Sequence, residues 1–298
     1  MNVDLTIFGT VLAQFRDMLF TVLADNTSMF QQTGMTMFKA LATAMIVMAG
    51  VKIALGGDPG YRKFANYIML ISICFVLITY YTTPVGLFGG QSFATMIPKS
   101  AYSWADTINT STQKELTTTL QTFINDINQN TTTLNPITAI REVIVYVVIV
   151  ILVGLLELAM FIVIGFGYVA LGVVMLVGPL LVPWIIVPKM DFLFWSWFKT
   201  LIKFSFYPLI ANAFLFLIAK IMLLVFTCGS FNLNSYAVQD AAYREAQLPI
   251  LICVFAAGIF GCFKIPSLVS DIFSGASSSG SAQAMESAVR GAVSAAVL

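Results

Sequence analysis

Apolar runs separated by polar stretches set the pattern of this chain, and the longest run lies between residues 143 and 188. It reads VIVYVVIVILVGLLELAMFIVIGFGYVALGVVMLVGPLLVPWIIVP, with Glu157 as its one charge. A bilayer crossing takes about 20 apolar residues, so this run holds one helix amply or two helices tightly. Gly178-Pro179, Pro183 and Pro188 close it, and a straight helix interior does not tolerate such residues. Four further apolar stretches, at residues 33–55, 64–81, 201–226 and 248–265, have the length and character of crossings.

The polar parts have patterns of their own. Within residues 1–32, Leu5, Phe8, Leu12, Phe15, Leu19 and Leu23 recur at three- and four-residue steps. This predicts an amphipathic N-terminal helix, lying on the membrane, on a partner or on the protein's own flank. Residues 85–140 open with a glycine-rich bend and turn Thr/Asn-rich. Leu116, Leu120, Phe123, Ile124 and Ile127 share one helical face there, predicting a surface for an oligomer or partner. A turn cluster, Gly56-Gly57-Asp58-Pro59-Gly60, separates the first two crossings. In the last crossing Ala257 and Gly261 have the small-residue spacing that lets membrane helices approach closely. Residues 267–298 are a Gly/Ser linker and a weak amphipathic tail with a Glu286–Arg290 pair. The resulting divisions are 1–32, 33–84, 85–140, 141–266 and 267–298.

Composition supports this membrane reading. Hydrophobic residues make up 59% and charged ones 10%, whereas soluble domains carry about 25% charge. The net charge of +1 gives no bulk attraction to nucleic acid. The chain has no histidine, which removes histidine-based triads and metal sites. Its four cysteines have no metal-ligand spacing and read as buried small hydrophobes. No nucleophile–base set is visible, so neither catalysis nor a cofactor is expected.

Charge then counts the crossings. Lys52, Arg62 and Lys63 place the first loop in the cytoplasm and the N-terminus outside. One net crossing by the long run puts Lys189, Lys199, Lys203, Lys264 and Arg290 inside as well. The expected fold is an all-α polytopic membrane protein with about five net transmembrane helices plus amphipathic helices, its C-terminus inside. The portion from 165 to 188 then extends the third helix or re-enters under protein cover.

The segment GPLLVPWIIVPKMDFLFWSWFKTLIKFSFYPLIANA (178–213), with KIPSLVSDIFSGASSSG (264–280), resembles the TrbL-type family. This family supplies the polytopic inner-membrane subunit of bacterial type IV secretion and conjugal transfer systems. A large outer loop after the second crossing fits the same layout. The resemblance implies a multi-pass protein of the bacterial inner membrane that forms a homo-oligomeric ring. It also implies a role in pilus biogenesis and substrate translocation, beside the pilin, the minor pilin and an inner-membrane ATPase complex, with passing DNA or protein in transient contact. The family offers no catalytic residues. A secondary transporter or small channel is the alternative, supported by the Gly-Pro break and the intramembrane charges.

Several residues stand out for their setting. Trp184, Trp195 and Trp197, beside Lys189 and Lys199, are expected as anchors among lipid headgroups or as a lipid- or subunit-binding belt. Lys39 and Lys220 fall in the outer half of the membrane, where they snorkel to the headgroups or line a lumen. A charge at bilayer centre costs about 2.5–3.5 kcal/mol on insertion scales. Glu157, roughly 20 Å deep by helix rise, is therefore paired, protonated or facing water. Lys52 is its candidate partner, since Lys220 lies only about 9 Å deep by the same rise.

Overall fold

The computed structural model describes residues 6–56, 61–86, 89–131, 136–227 and 241–275. Six α-helices carry them: α1 (Thr6–Ala54), α2 (Tyr61–Thr79), α3 (Phe93–Thr131), α4 (Pro136–Leu181), α5 (Phe192–Thr227) and α6 (Ala241–Gly275). A short 3-10 helix, Val182–Ile186, follows α4. Among the described residues there is no strand, only one antiparallel bridge between Val85 and Gln91. Among the described residues four segments are long and apolar enough to cross a bilayer: Gly9–Ala54, Val150–Ile186, Phe192–Ile221 and Ile252–Phe273. Phe64–Thr79 is a shorter apolar helix. The chain is an all-α polytopic membrane protein.

Two features of the sequence resolve in an instructive way. The long apolar run is one 46-residue helix, α4, and not a helical hairpin. It extends through Pro179 because that proline sits in the last turn, and Pro183 then starts the 3-10 helix, where Pro needs no helical N–H donor. The second feature is α1, a single helix of 49 residues where a separate amphipathic helix ending at residue 32 was expected. Along its polar middle, side chains are satisfied within the helix by bonding back to carbonyls four residues earlier. Thr21, Asn26, Thr27, Thr33, Thr36 and Thr43 all do so. The helix stops at Gly56, whose left-handed φ of 74° makes the terminating turn.

The chain divides into two compact units. The first comprises Met1–Arg16, Tyr102–Gly167 and Tyr207–Ser267. Its helices meet through glycines. Gly258 lies against Ile218 and Leu156, Gly261 under the Phe214 ring, and Gly167 against the Tyr207 ring. Ala257 is exposed, so Gly258 with Gly261 makes the close approach expected of Ala257 with Gly261. Phe15 and Phe161 pack with ring centroids 6.3 Å apart. Arg16 pairs with Asp106 at 2.6 Å and lies over the Tyr102 ring.

The second unit comprises Asp17–Ala101, Tyr168–Phe206 and Leu268–Leu298. Its interior holds Phe38, Cys74, Ile78, Tyr81, Leu171, Val182, Ile186, Phe194, Trp197 and Leu201, all buried. Lys203 donates to Ser270 at 3.1 Å. The Gly57–Asp58–Pro59–Gly60 turn, Leu5, Cys228, Glu286 and Arg290 lie outside the described residues.

Candidate functional site

The second unit is built around the break at Gly178-Pro179. Proline has no N–H, so in a helix the carbonyl four residues before it loses its partner. In α4 that carbonyl belongs to Met175. Inside apolar surroundings an unmet carbonyl is costly, and a side chain has to replace the missing donor. The Tyr81 hydroxyl donates to the Met175 carbonyl at 2.6 Å. The Trp197 indole N–H donates to the neighbouring Val174 carbonyl at 2.8 Å. Tyr81 is fully buried and Trp197 is 5% exposed, so water does not compete for either bond. The two rings lie 6.4 Å apart between centroids, and Phe93, Phe194 and Phe198 complete an aromatic cluster around them.

Glycines make this approach possible. A Cβ on Gly178 would run into the Tyr81 hydroxyl and the Trp197 ring. A Cβ on Gly34 of α1 would run into the Pro179 carbonyl, a backbone atom that cannot turn aside. Beyond the break the Cys74 thiol reaches the Val182 carbonyl at 3.6 Å, so α2 braces the 3-10 helix as well.

A second repair lies where α2 gives way to α3. The last carbonyls of a helix have no intrahelical donor. Gln31 of α1 supplies one, its amide N–H group donating to the Ile78 and Thr79 carbonyls at 2.8 and 3.2 Å. The Gln31 carbonyl oxygen accepts from the Thr82 hydroxyl at 3.1 Å. The first N–H groups of α3, on Phe93 and Ala94, donate to the Tyr80 and Tyr81 carbonyls. Ser92 and Thr95 cap the same helix start. The site is therefore a block of irregular backbone whose lost hydrogen bonds are remade by side chains. Among the described residues no group of three His, Cys, Asp or Glu side chains lies together to hold a metal.

The family described as TrbL/VirB6 plasmid conjugal transfer protein matches residues 42–264, and these include α2 to α5 and most of α6. The chain belongs to the TrbL/VirB6 family. It is accordingly a component of a conjugal transfer or type IV secretion system. No curated protein and no solved structure matches the chain.

Within this TrbL/VirB6 protein the aromatic residues singled out from sequence separate into two settings. Trp184 and Trp195 are half-buried. Trp197 is a core residue whose indole N–H reaches the Val174 carbonyl of α4, which differs from the headgroup anchor expected of it. Lys39 is exposed and borders a shallow groove of about 390 Å³ with Ser28, Gln31, Gln32, Met35 and Thr36. Lys220 is exposed on α5, its ammonium 5.4 Å from the centre of the Phe216 ring.

Glu157 is half-buried on α4 in the first unit, and among the described residues no hydrogen bond or ion pair reaches it. Lys52 is exposed in the last turn of α1 in the second unit, where a cation suits the helix dipole. Neither unit contains the pair. Leu116, Leu120, Phe123 and Ile127 belong to α3, and their side chains lie outside the described residues. Tyr81, Gln31 and Gly34 were not singled out from the sequence. Pro179 gave the only signal for them, since it announces an unmet carbonyl at Met175 without saying what meets it.

Proposed function

We propose that this chain is an inner-membrane channel or assembly-platform subunit of a bacterial type IV secretion machine, supporting pilus biogenesis and substrate translocation. The observation that carries the reading is the TrbL/VirB6 match, which covers most of the apolar helices and not merely one motif. In this reading several copies form a ring beside pilin, minor pilin and the inner-membrane ATPase complex, and DNA or protein passes in transient contact. The role is structural and not catalytic. The block around Pro179 supports it, because a platform that bears load needs irregular membrane backbone to be fully bonded.

Deleting the gene from its native host tests this. Transfer to a recipient and surface pili are expected to be lost and to return when the gene is supplied in trans, with the protein sedimenting with inner membrane. Undiminished transfer and pili in the deletion strain would overturn the proposal.

A further inference from the structure

In the second unit α1 turns three different faces outward and inward. At about 100° per residue, Asp25, Ser28, Gln32, Thr36, Lys39 and Thr43 fall within one arc of about 80°. All six are exposed, and no apolar residue between 25 and 43 shares that arc. Ala40, Ala44, Val47 and Val51, also exposed, occupy the adjoining arc. Gly34, Phe38, Ala42 and Met45 lie on the remaining side and are buried. The exposed surface of α1 is thus split, at the same levels, into a polar strip and an apolar strip.

The polar strip reaches below the membrane surface. α1 meets α2 at Phe38 and Phe75, whose ring centroids are 6.0 Å apart, and at Gln31, whose amide serves the last carbonyls of α2. α2 has 19 residues, about 28 Å by helix rise, close to the hydrocarbon thickness of about 30 Å. Its exposed Ile68, Phe75 and Val76 suit lipid. Gln31 therefore marks one edge of that layer, with Lys39 about 12 Å and Thr43 about 18 Å inside it. The four-carbon stem of Lys39 is too short to return its ammonium to that edge. An ammonium among acyl chains is costly, so this charge faces something polar.

We propose that this polar face of α1 lines a water-filled cleft that enters the bilayer beside α2 and ends near Thr43. The proposal rests on the translocation reading above and names one wall of the passage. Lipid suits the apolar strip and not the polar one, since Lys39 and Ala40 lie at one depth and differ in direction. A parallel copy fits no better, because Asp25 and Lys39 would each be pressed against its own like-charged counterpart. Water serves both charges. The cleft is already present in the single chain as a groove of about 390 Å³ running from Ser28 to Lys39. Its lining has one acid, one base and four neutral polar side chains, which suits water and polar solutes of either sign. Past Thr43 the same arc carries Ile46, Gly50 and Ala54, so the polar lining stops inside the layer.

Thiol labelling in native membranes tests the assignment. Single cysteines replace Thr36, Lys39 or Thr43, or Ala40, Ala44 or Val47 for comparison, in a chain freed of native cysteines. Cys74→Ser in that chain keeps a donor for the Val182 carbonyl. The probe is a charged, membrane-impermeant methanethiosulfonate, which reacts with the ionised and hydrated thiol. The first three positions are expected to react at least about tenfold faster than the other three. Lys39→Cys has lost its ammonium, so its labelling reports water that the charge did not draw in. Equal rates for the two sets overturn the proposal, as does protection of Lys39→Cys and Thr43→Cys by contact with another protein. A second comparison needs no cysteine replacement. Thr43→Lys is expected to accumulate in the membrane as the wild type does, and Ala44→Lys to less than about half that level. Equal accumulation of the two overturns the cleft, whereas transfer that survives deletion of the gene overturns the translocation reading.

Discussion

The two units bury helix against helix by different means. In the first, helices meet where glycines leave room, as Gly258 does for Ile218 and Leu156 and Gly261 does for Phe214. Side chains contribute shape there. In the second, helices end and break inside the unit, and side chains donate to backbone carbonyls at those places. Tyr81, Trp197 and Gln31 all do this. Shape tolerates adjustment, because a methyl can move by a few tenths of an ångström. A donor that serves a buried carbonyl has no substitute, so the second unit has less freedom to vary.

The largest effect is expected at the break. Gly178→Leu drives a side chain into the Tyr81 hydroxyl and the Trp197 ring and separates both donors from α4. It should cost at least about 3 kcal/mol, the upper end of overpacking, and thermal unfolding of the purified protein should show it. Gly258→Ala is the matched change in the first unit, where a Cβ would sit 3.3 Å from Ile218 and 3.4 Å from Leu156, both flexible side-chain atoms. It should cost under about 1 kcal/mol once the better helix propensity of alanine is included. Equal losses for the two variants would remove the distinction between the units.

An intermediate effect tests the cause directly. Tyr81→Phe leaves the buried Met175 carbonyl unmet and should destabilise by about 1–3 kcal/mol. Pro179→Ala gives back the N–H that Met175 lost, so in the Tyr81→Phe background it should recover most of that loss. Strict additivity of the two changes, read from unfolding of the single and double variants, would show that Tyr81 does not serve the proline break.

The smallest effect belongs to the first unit. Arg16 and Asp106 approach to 2.6 Å, but the Asp106 side chain is 51% exposed. A double-mutant cycle with alanine at both positions should yield about 0.2–1 kcal/mol of coupling that declines with added salt. A coupling above about 3 kcal/mol would mean that polar contacts carry the first unit too.

Much of the fold was legible because it depends on length and hydropathy. The run ending at Pro188 had room for one helix or two, and the placement of lysines favoured one; α4 is one. The uninterrupted α1 was not legible, because Asp25-Asn26-Thr27-Ser28 has the composition of a helix start. Only the conformation shows those side chains turned back onto their own helix. The tryptophans were read from composition as interfacial, yet which of them turns inward depends on the helix packed against it, as α4 is against Trp197. Contacts such as Gln31 with Ile78 join residues 47 apart, and no local pattern encodes them.

The missing N–H of Pro179 also has a consequence for the order of synthesis. The donor for Met175 is Tyr81, made 94 residues earlier, so it has already left the ribosome when that carbonyl emerges. The donor for Val174 is Trp197, made 23 residues later. At about 5–20 residues per second, this second donor follows its acceptor by about 1–5 s. The carbonyl freed by Pro179 thus finds its donor on arrival, whereas the bond from Trp197 to the neighbouring carbonyl forms only once α5 has begun, which ties the maturation of this segment to the passage of the next helix through the insertion machinery.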